Sequence, residues 1–147
     1  MPNECYAYIL ISDEKWWNRL CERNRNNNEI RVFVRRNRVG PLKTEKLLFY
    51  VKKPIMQIRG VADFVERLAG DYKELWNMYG DESYLETFDE YVSFLKGRKT
   101  VTFIRFSNFR GLDSPVSMKV ISKVLGVLTI PRGGKYLNRE TANQLTV

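Results

Sequence analysis

The most constraining feature of this sequence is the run KLLFYVKKPIMQIRGVADFVE, residues 46–66. After its lysine, KLLFYV is continuously apolar, the pattern of a strand buried on both faces. It stops at Lys52-Lys53-Pro54, where proline offers no N–H to a ladder. MQIRGVADFVE then returns as a second strand, and Gly60 inside it marks a bulge or tight bend, as at a barrel corner.

The rest of the chain is read around this hairpin. YAYILIS, residues 6–12, is a short apolar strand, and Ser12 is placed to cap a helix over 13–25 with acids in its first turn and arginines in its last. NRNNN, 24–28, reads as a turn. EIRVFVRRN alternates, which puts Ile30, Val32 and Val34 on one face and Arg31, Phe33 and Arg35 on a basic outer face. VGPLKTE, 39–45, is a loop. DYKELWNMYG predicts a helix ending at Gly80. SYLETFDEYVSFLKG predicts another, with a Ser83–Glu86 capping box, a stripe of Leu85, Phe88, Val92 and Leu95, and a stop at Gly97. KTVTFIRFSNF is a long strand. SPVSMKVISKVLG is a helix with Pro115 near its start, and VLTIPRGGKYL is a strand broken by a loop. A last helix starts at Asn138.

Five or six strands without regular β-α alternation argue against a doubly wound sheet. The expected class is α+β, a partly closed mixed barrel of five or six strands with flanking helices. One domain over 1–147 is expected, in which 61–97 contributes an acidic, largely helical layer.

Charge narrows the function. The 147 residues carry a net +8, distributed as +7 over 1–60, −6 over 61–97 and +7 over 98–147. A basic working surface with an acidic face turned elsewhere accounts for that partition, and nucleic acid is the commonest intracellular polyanion. Two cysteines and no histidine leave no zinc ligand set and remove the usual general base, so neither metal nor cofactor is expected. Cys5 and Cys21 read as small hydrophobes. No apolar run approaches a membrane span, and MPNECYAYILIS has no basic region ahead of its apolar stretch, so a soluble cytoplasmic protein is expected.

IPRGGKYLNRE, 130–140, invites comparison with the phosphate loop of nucleotide hydrolases and fails it. Thr129 stands where that motif needs glycine, and Tyr136 where it needs Ser or Thr for magnesium. What remains is a basic, glycine-bearing turn before the Asn138 helix start. Either it contacts an anion through Arg132 and Lys135 or it is an ordinary surface turn. Basic and aromatic residues interleave here and elsewhere. Phe33-Val34-Arg35-Arg36, Tyr50-Val51-Lys52-Lys53, Arg105-Phe106-Ser107-Asn108-Phe109-Arg110 and Arg132 to Tyr136 combine phosphate contacts with stacking platforms, the chemistry of single-strand binding. Candidate nucleic-acid contacts are therefore Arg35, Arg36, Lys52, Lys53, Asn108, Arg110, Arg132, Lys135 and Tyr136. Asn108 and Ser107 could read a base edge or satisfy backbone groups at a strand end.

The order of these elements resembles the PUA-like superfamily, which includes the PUA, ASCH, EVE and YTH domains. The strand ending in Phe-Tyr, its basic turn and Ile-x-Gly-Val-Ala resemble that superfamily's central hairpin. YAYILISDEKWWNRL resembles the EVE-type opening, and SPVSMKVI the segment after its last long strand. Over its length the chain looks most like an archaeal family of unknown function sharing Lys-Lys-Pro, Arg-Phe-Ser-Asn and Arg-Gly-Gly-Lys-Tyr. The resemblance implies a pseudobarrel that binds RNA or holds one modified base among aromatics. The matching pocket positions are Ser12, Trp16, Trp17, Tyr50 and the start of the turn at Lys52. Adjacent helix positions lie about 100° apart, so one tryptophan is expected in the core and the other near the pocket or surface.

Two other functions are compatible with the residues. FLKGRKTVTFIRF is similar to ASCH-type amidohydrolases acting on modified cytidine, which would give Lys99 and Thr102 catalytic roles. The motif comes late in this chain, after four strands, and β-branched filler explains KTVTF equally well. Catalysis is the weaker expectation. A protein-interaction adaptor, with the acidic helices as its face, is weaker still. The oligomeric state is not legible.

Overall fold

The computed structural model describes residues 3–23, 29–36 and 40–146. Its strands are β1 (Ala7–Ser12), β2 (Arg31–Arg35), β3 (Lys46–Val51), β4 (Gln57–Asp71), β5 (Thr100–Ser117) and β6 (Lys135–Leu137). Its helices are α1 (Glu14–Arg23), α2 (Tyr72–Tyr79), α3 (Phe88–Leu95), α4 (Met118–Leu125) and α5 (Arg139–Thr146), with short 3-10 turns at Asn3–Cys5 and Gly80–Glu82. The strands form one sheet in the order β2-β5-β4-β3-β1-β6. β1 and β3 are parallel, and the other pairs are antiparallel.

The apolar strand β3 lies inside the sheet, and its side chains divide between two cores. Leu47, Phe49 and Val51 join Tyr8 and Leu10 on one face, while Leu48 and Tyr50 join Ala7 and Ile9 on the other. This is the period-2 alternation of a strand covered on both sides. The first core is filled by Trp17 and Leu20 of α1 and by aromatic residues of β2, β5 and α3. The second is closed by Ile121 of α4 and by Ala142 and Leu145 of α5.

Curvature comes from the long β4–β5 pair. Its register shifts between Ile58 and Gly60, between Val61 and Asp63, and between Phe64 and Glu66, and each shift bends the ribbon and increases its twist. Gly60 meets the sequence expectation of a bend, and a Cβ there would strike the Trp17 indole. The sheet curls far enough for its two ends to approach. At the end of β2, the Arg35 Nη2 donates to the Arg132 carbonyl, just before β6, at 3.4 Å.

Several local expectations need correction. The acidic layer is not helical from residue 61, because β4 runs to Asp71 and the helices begin at Tyr72. Asp71 caps α2 by accepting from the N–H groups of Lys73 and Glu74. Ser83 does not cap α3. Its hydroxyl donates to the Gly80 carbonyl at 2.8 Å, and Thr87 is the cap, accepting from the Glu90 N–H at 3.1 Å. Frame therefore shifts along that helix: Tyr91 and Leu95 are buried, while Phe88 and Val92 are exposed. Ser12 ends β1 rather than capping α1, and its hydroxyl donates to the Asp13 carbonyl at 3.0 Å. β5 continues through Pro115 to Ser117, which caps α4. β6 keeps only Lys135–Leu137 of the expected strand. The turn at 24–28 lies outside the described residues, as does the start of the 39–45 loop. Among the described residues, no helix is long and apolar enough to cross a membrane.

Candidate nucleic-acid interface

A cavity of about 890 Å³ opens where α1, the ends of β2 and β3, the turn after β3 and the segment before β6 converge. Its volume is in the range of small-ligand sites. One wall is aromatic, made by Trp16, Phe33, Tyr50, Tyr84 and Phe94. Trp16 lies 5.1 Å from the Tyr84 ring and 5.5 Å from the Phe94 ring, centroid to centroid. The buried Tyr84 hydroxyl donates to the Val34 carbonyl at 3.3 Å, which fixes this wall to β2. Burial raises the pKa of Tyr50 and Tyr84 above the usual phenol range, so both stay neutral.

The opposite chemistry surrounds that wall. Arg35, Arg36, Lys52, Lys53, Arg98 and Arg132 line the cavity against one carboxylate, Asp13. Lys52 pairs with Asp13 at 2.7 Å. Arg36 lies over the Phe94 ring at 4.4 Å, and its Nε donates to the Phe94 carbonyl at 2.5 Å. Burial lowers the Arg35 pKa below the usual arginine range, because desolvation penalises its charge.

Elsewhere several basic residues are paired with acids. Arg105 donates to Glu82 at 2.9 and 3.0 Å and to Glu66 at 2.5 Å. Arg19 pairs with Glu90 at 2.5 Å, and Arg23 with Glu86 at 3.5 Å. Lys46 pairs with Asp63 at 2.5 Å. The acidic segment is thus packed against basic α1 and β5 rather than turned to a separate face. Pairing neutralises these four cations, whereas of the six at the cavity only Lys52 pairs with a carboxylate among the described residues.

The structure brings together Ser12, Trp16, Tyr50, Arg35, Arg36, Lys52, Lys53 and Arg132 of the expected site residues, and leaves the others outside the cavity lining. Trp17 is a core residue, 5% exposed, against Phe49 and Phe109. Arg35 does not stand on an exposed basic face, since Val32, Phe33 and Val34 are all buried. Asn108 donates to the Asp63 carboxylate at 2.6 Å, and the exposed Arg110 donates to the Asn108 carbonyl. Lys135 lies in β6, paired with Ile9. Tyr136 packs edge-on against Tyr8 at 4.9 Å, and its hydroxyl accepts from the Leu42 N–H.

The glycine turn also differs from expectation. Gly134 has φ +93°, and a Cβ there would collide with the Ile9 carbonyl and the Tyr8 ring. Its glycine permits close approach to β1, not to a ligand backbone. The Tyr8 hydroxyl donates to the Gly133 carbonyl and holds the turn down. Arg132 alone of that loop's two cations lines the cavity. Asn138 does cap α5, accepting from the Thr141 N–H at 2.8 Å.

Sequence reasoning missed Tyr84, Phe94 and Arg98, which come from in and around the segment assigned to a remote acidic layer. The capping-box frame hid Phe94, and no local signal points Tyr84 at β2. Lys99 and Thr102 do not meet at the cavity: the Lys99 Nζ stands over the Tyr72 ring at 5.6 Å, and Thr102 is fully buried on β5. Among the described residues, no cluster of acidic or thiol side chains is suited to a metal ion.

Comparison with known proteins supports the architecture. Residues 17–139 match the family described as "Domain of unknown function (DUF365)". No curated protein matches the chain. Among solved structures, it is similar to ASCH from Zymomonas mobilis, with 16% identity and a TM-score of 0.78 over 98% of this chain and 94% of that one. A serine-to-alanine mutant of the Zymomonas protein gives a TM-score of 0.75 at 16% identity, covering 99% and 96%. A tyrosine-to-phenylalanine mutant gives 0.74 at 14% identity, covering 95% of each chain. The chain shares its fold with the ASCH structure from Zymomonas mobilis.

Proposed function

This chain belongs to the DUF365 family, and we propose that it is a nucleic-acid-binding module that takes an RNA strand, or one modified nucleotide of it, into the cavity between α1 and the turn after β3. The observation that carries this reading is the pairing of an aromatic wall with six cations against one carboxylate. Bases stack on aromatics whatever their sequence, and phosphates answer the cations. The reading treats residues 1–147 as one domain acting in the cytoplasm, with the acidic segment holding the aromatic wall in place. Trp16 and Tyr50 contact the base, Ser12 lies beside it, and Arg36, Lys53 and Arg132 contact phosphate. Asn108, Arg110, Lys135 and Tyr136 have outer or structural roles.

A binding screen against modified and unmodified oligonucleotides tests the proposal. Affinity that falls with salt and is lost on Trp16→Ala supports it. Salt-independent binding of a neutral small molecule would replace it. An amidohydrolase reading gains no geometric support from Lys99 and Thr102. An adaptor would keep its partners in extracts after nuclease treatment, whereas an RNA-binding module would lose them.

A further inference from the structure

Five cations around the cavity, Arg35, Arg36, Lys53, Arg98 and Arg132, have no carboxylate partner among the described residues. Arg35 is distinct among them in its surroundings. It stands at the seam where the curled sheet's two ends meet, bonded to the Arg132 carbonyl at 3.4 Å. Its electrostatic neighbours are the phenols of Tyr8 and Tyr84, both buried and held neutral by that burial. A guanidinium has five N–H donors in a fixed fork, and Arg35 spends one on a long bond. It is half-buried at the cavity wall with no carboxylate partner among the described residues, so an anion there would meet an uncompensated cation.

The kind of anion follows from charge and connectivity. An internal phosphodiester carries one charge and two chain substituents, so a strand must run both into and out of the cavity. A terminal phosphate monoester carries about 1.5 to 2 negative charges near neutral pH and has one substituent, so it can enter end-on. Its third free oxygen lets it accept from a second guanidinium while two oxygens face the fork of the first. The cavity's 890 Å³ accommodates a whole nucleotide.

Resting on the nucleic-acid reading above, we infer that the cavity takes a nucleotide bearing a terminal phosphate monoester, with the phosphate on Arg35 and Arg132 and the base against the wall that includes Trp16. The monoester belongs either to the end of an RNA strand or to a free nucleotide.

The test uses the full chain and one short RNA sequence in three forms: 5′-phosphorylated, 3′-phosphorylated, and hydroxyl at both ends. One phosphorylated form should bind about tenfold or more tightly than the hydroxyl form, the scale of added charge-assisted hydrogen bonds. Phosphatase treatment of that RNA should erase the gain. Arg35→Gln should lose the difference while keeping salt-dependent binding of hydroxyl-ended RNA, and a thermal melt checks that it folds. If it does not fold, Arg132→Ala and the phosphatase comparison on the wild-type chain carry the test. Competition by nucleoside monophosphates, with nucleosides as control, separates the two sources. If only monophosphates bind, the monoester assignment stands and the RNA reading falls. Equal binding of all three RNA forms overturns the monoester assignment and leaves the RNA reading intact. Binding of neither RNA nor monophosphates overturns both.

Discussion

Trp16 and Trp17 are chain neighbours with different surroundings, which separates stability from binding. Trp17 fills the space over Gly60, against Phe49 and Phe109. Trp17→Ala should cost about 3–5 kcal/mol of stability, read as a lowered denaturant midpoint. Trp16→Ala should cost less stability and more affinity, since it lines the cavity and contacts the rings of Tyr84 and Phe94 and the Lys15 ammonium. Titration of Glu90 gives a second residue-scale prediction. The side-chain hydrogen bond from Arg19 is the largest cause holding its carboxyl below the usual 4.5, followed by the bond from the Glu86 N–H. The folded pKa is therefore below the unfolded one. The stability this confers is fully present above about pH 4.5 and is lost as pH falls through the folded value. A melting series from pH 6 to 3 should fall more steeply for the wild type than for Glu90→Gln.

At the scale of elements, α3 shows how a cap sets which face of a helix is buried. Both Ser83 and Thr87 precede an acid by three positions, at Glu86 and Glu90. Only the Thr87 pair operates, with the Thr87 hydroxyl on the Glu90 N–H and the Glu90 carboxylate on the Glu86 N–H. Starting the helix at Phe88 turns Tyr91 and Leu95 inward and brings Phe94 to the cavity. Thr87→Ala should cost about 1 kcal/mol, with a modest loss of RNA affinity as the wall carrying Phe94 loosens. Circular dichroism and a binding titration check the two effects. Legibility at this scale followed length and pattern. Five or six strands were readable, because the apolar runs or alternations of β1 to β5 are long enough to stand out, whereas β6 has only three residues. The β4–β5 extension to Asp71 and Ser117 was not readable, because Gly70 and Pro115 normally argue against a strand and are tolerated by an irregular pairing.

For the whole molecule, the proposed binding depends on where charge is left over. Part of the net +8 is concentrated at the cavity. Arg19, Arg23, Arg105 and Lys46 are paired with the acidic segment, and five cations at the cavity have no carboxylate partner among the described residues. If all five contact phosphate, the slope of log K against log salt should be about −3.5, at roughly −0.7 per neutralised phosphate on a single strand. Arg36→Ala combined with Lys53→Ala should reduce its magnitude by about 1.4 and weaken binding to all sequences alike. Lys135→Ala should leave the slope unchanged, and a change equal to that of Arg132→Ala would place the working surface on the outer side of the glycine turn.

The sequence alone determined the class and the chemistry: a mixed, curled sheet with α1 against it, a basic excess interleaved with aromatics, and no histidine or metal set. These are local or compositional properties, carried by periodicity, turn residues and counts. Tertiary structure decided which charges survive and which aromatics face the opening. A salt bridge between Arg105 and Glu82 joins residues 23 apart in the chain, and the bond from Tyr84 to Val34 joins residues 50 apart. Neither separation leaves a local trace, because an ion pair or a ring contact depends on distance in space. Arg35 is the clearest case. Its strand pattern placed it on an exposed face, and the closing of the sheet placed it at the seam.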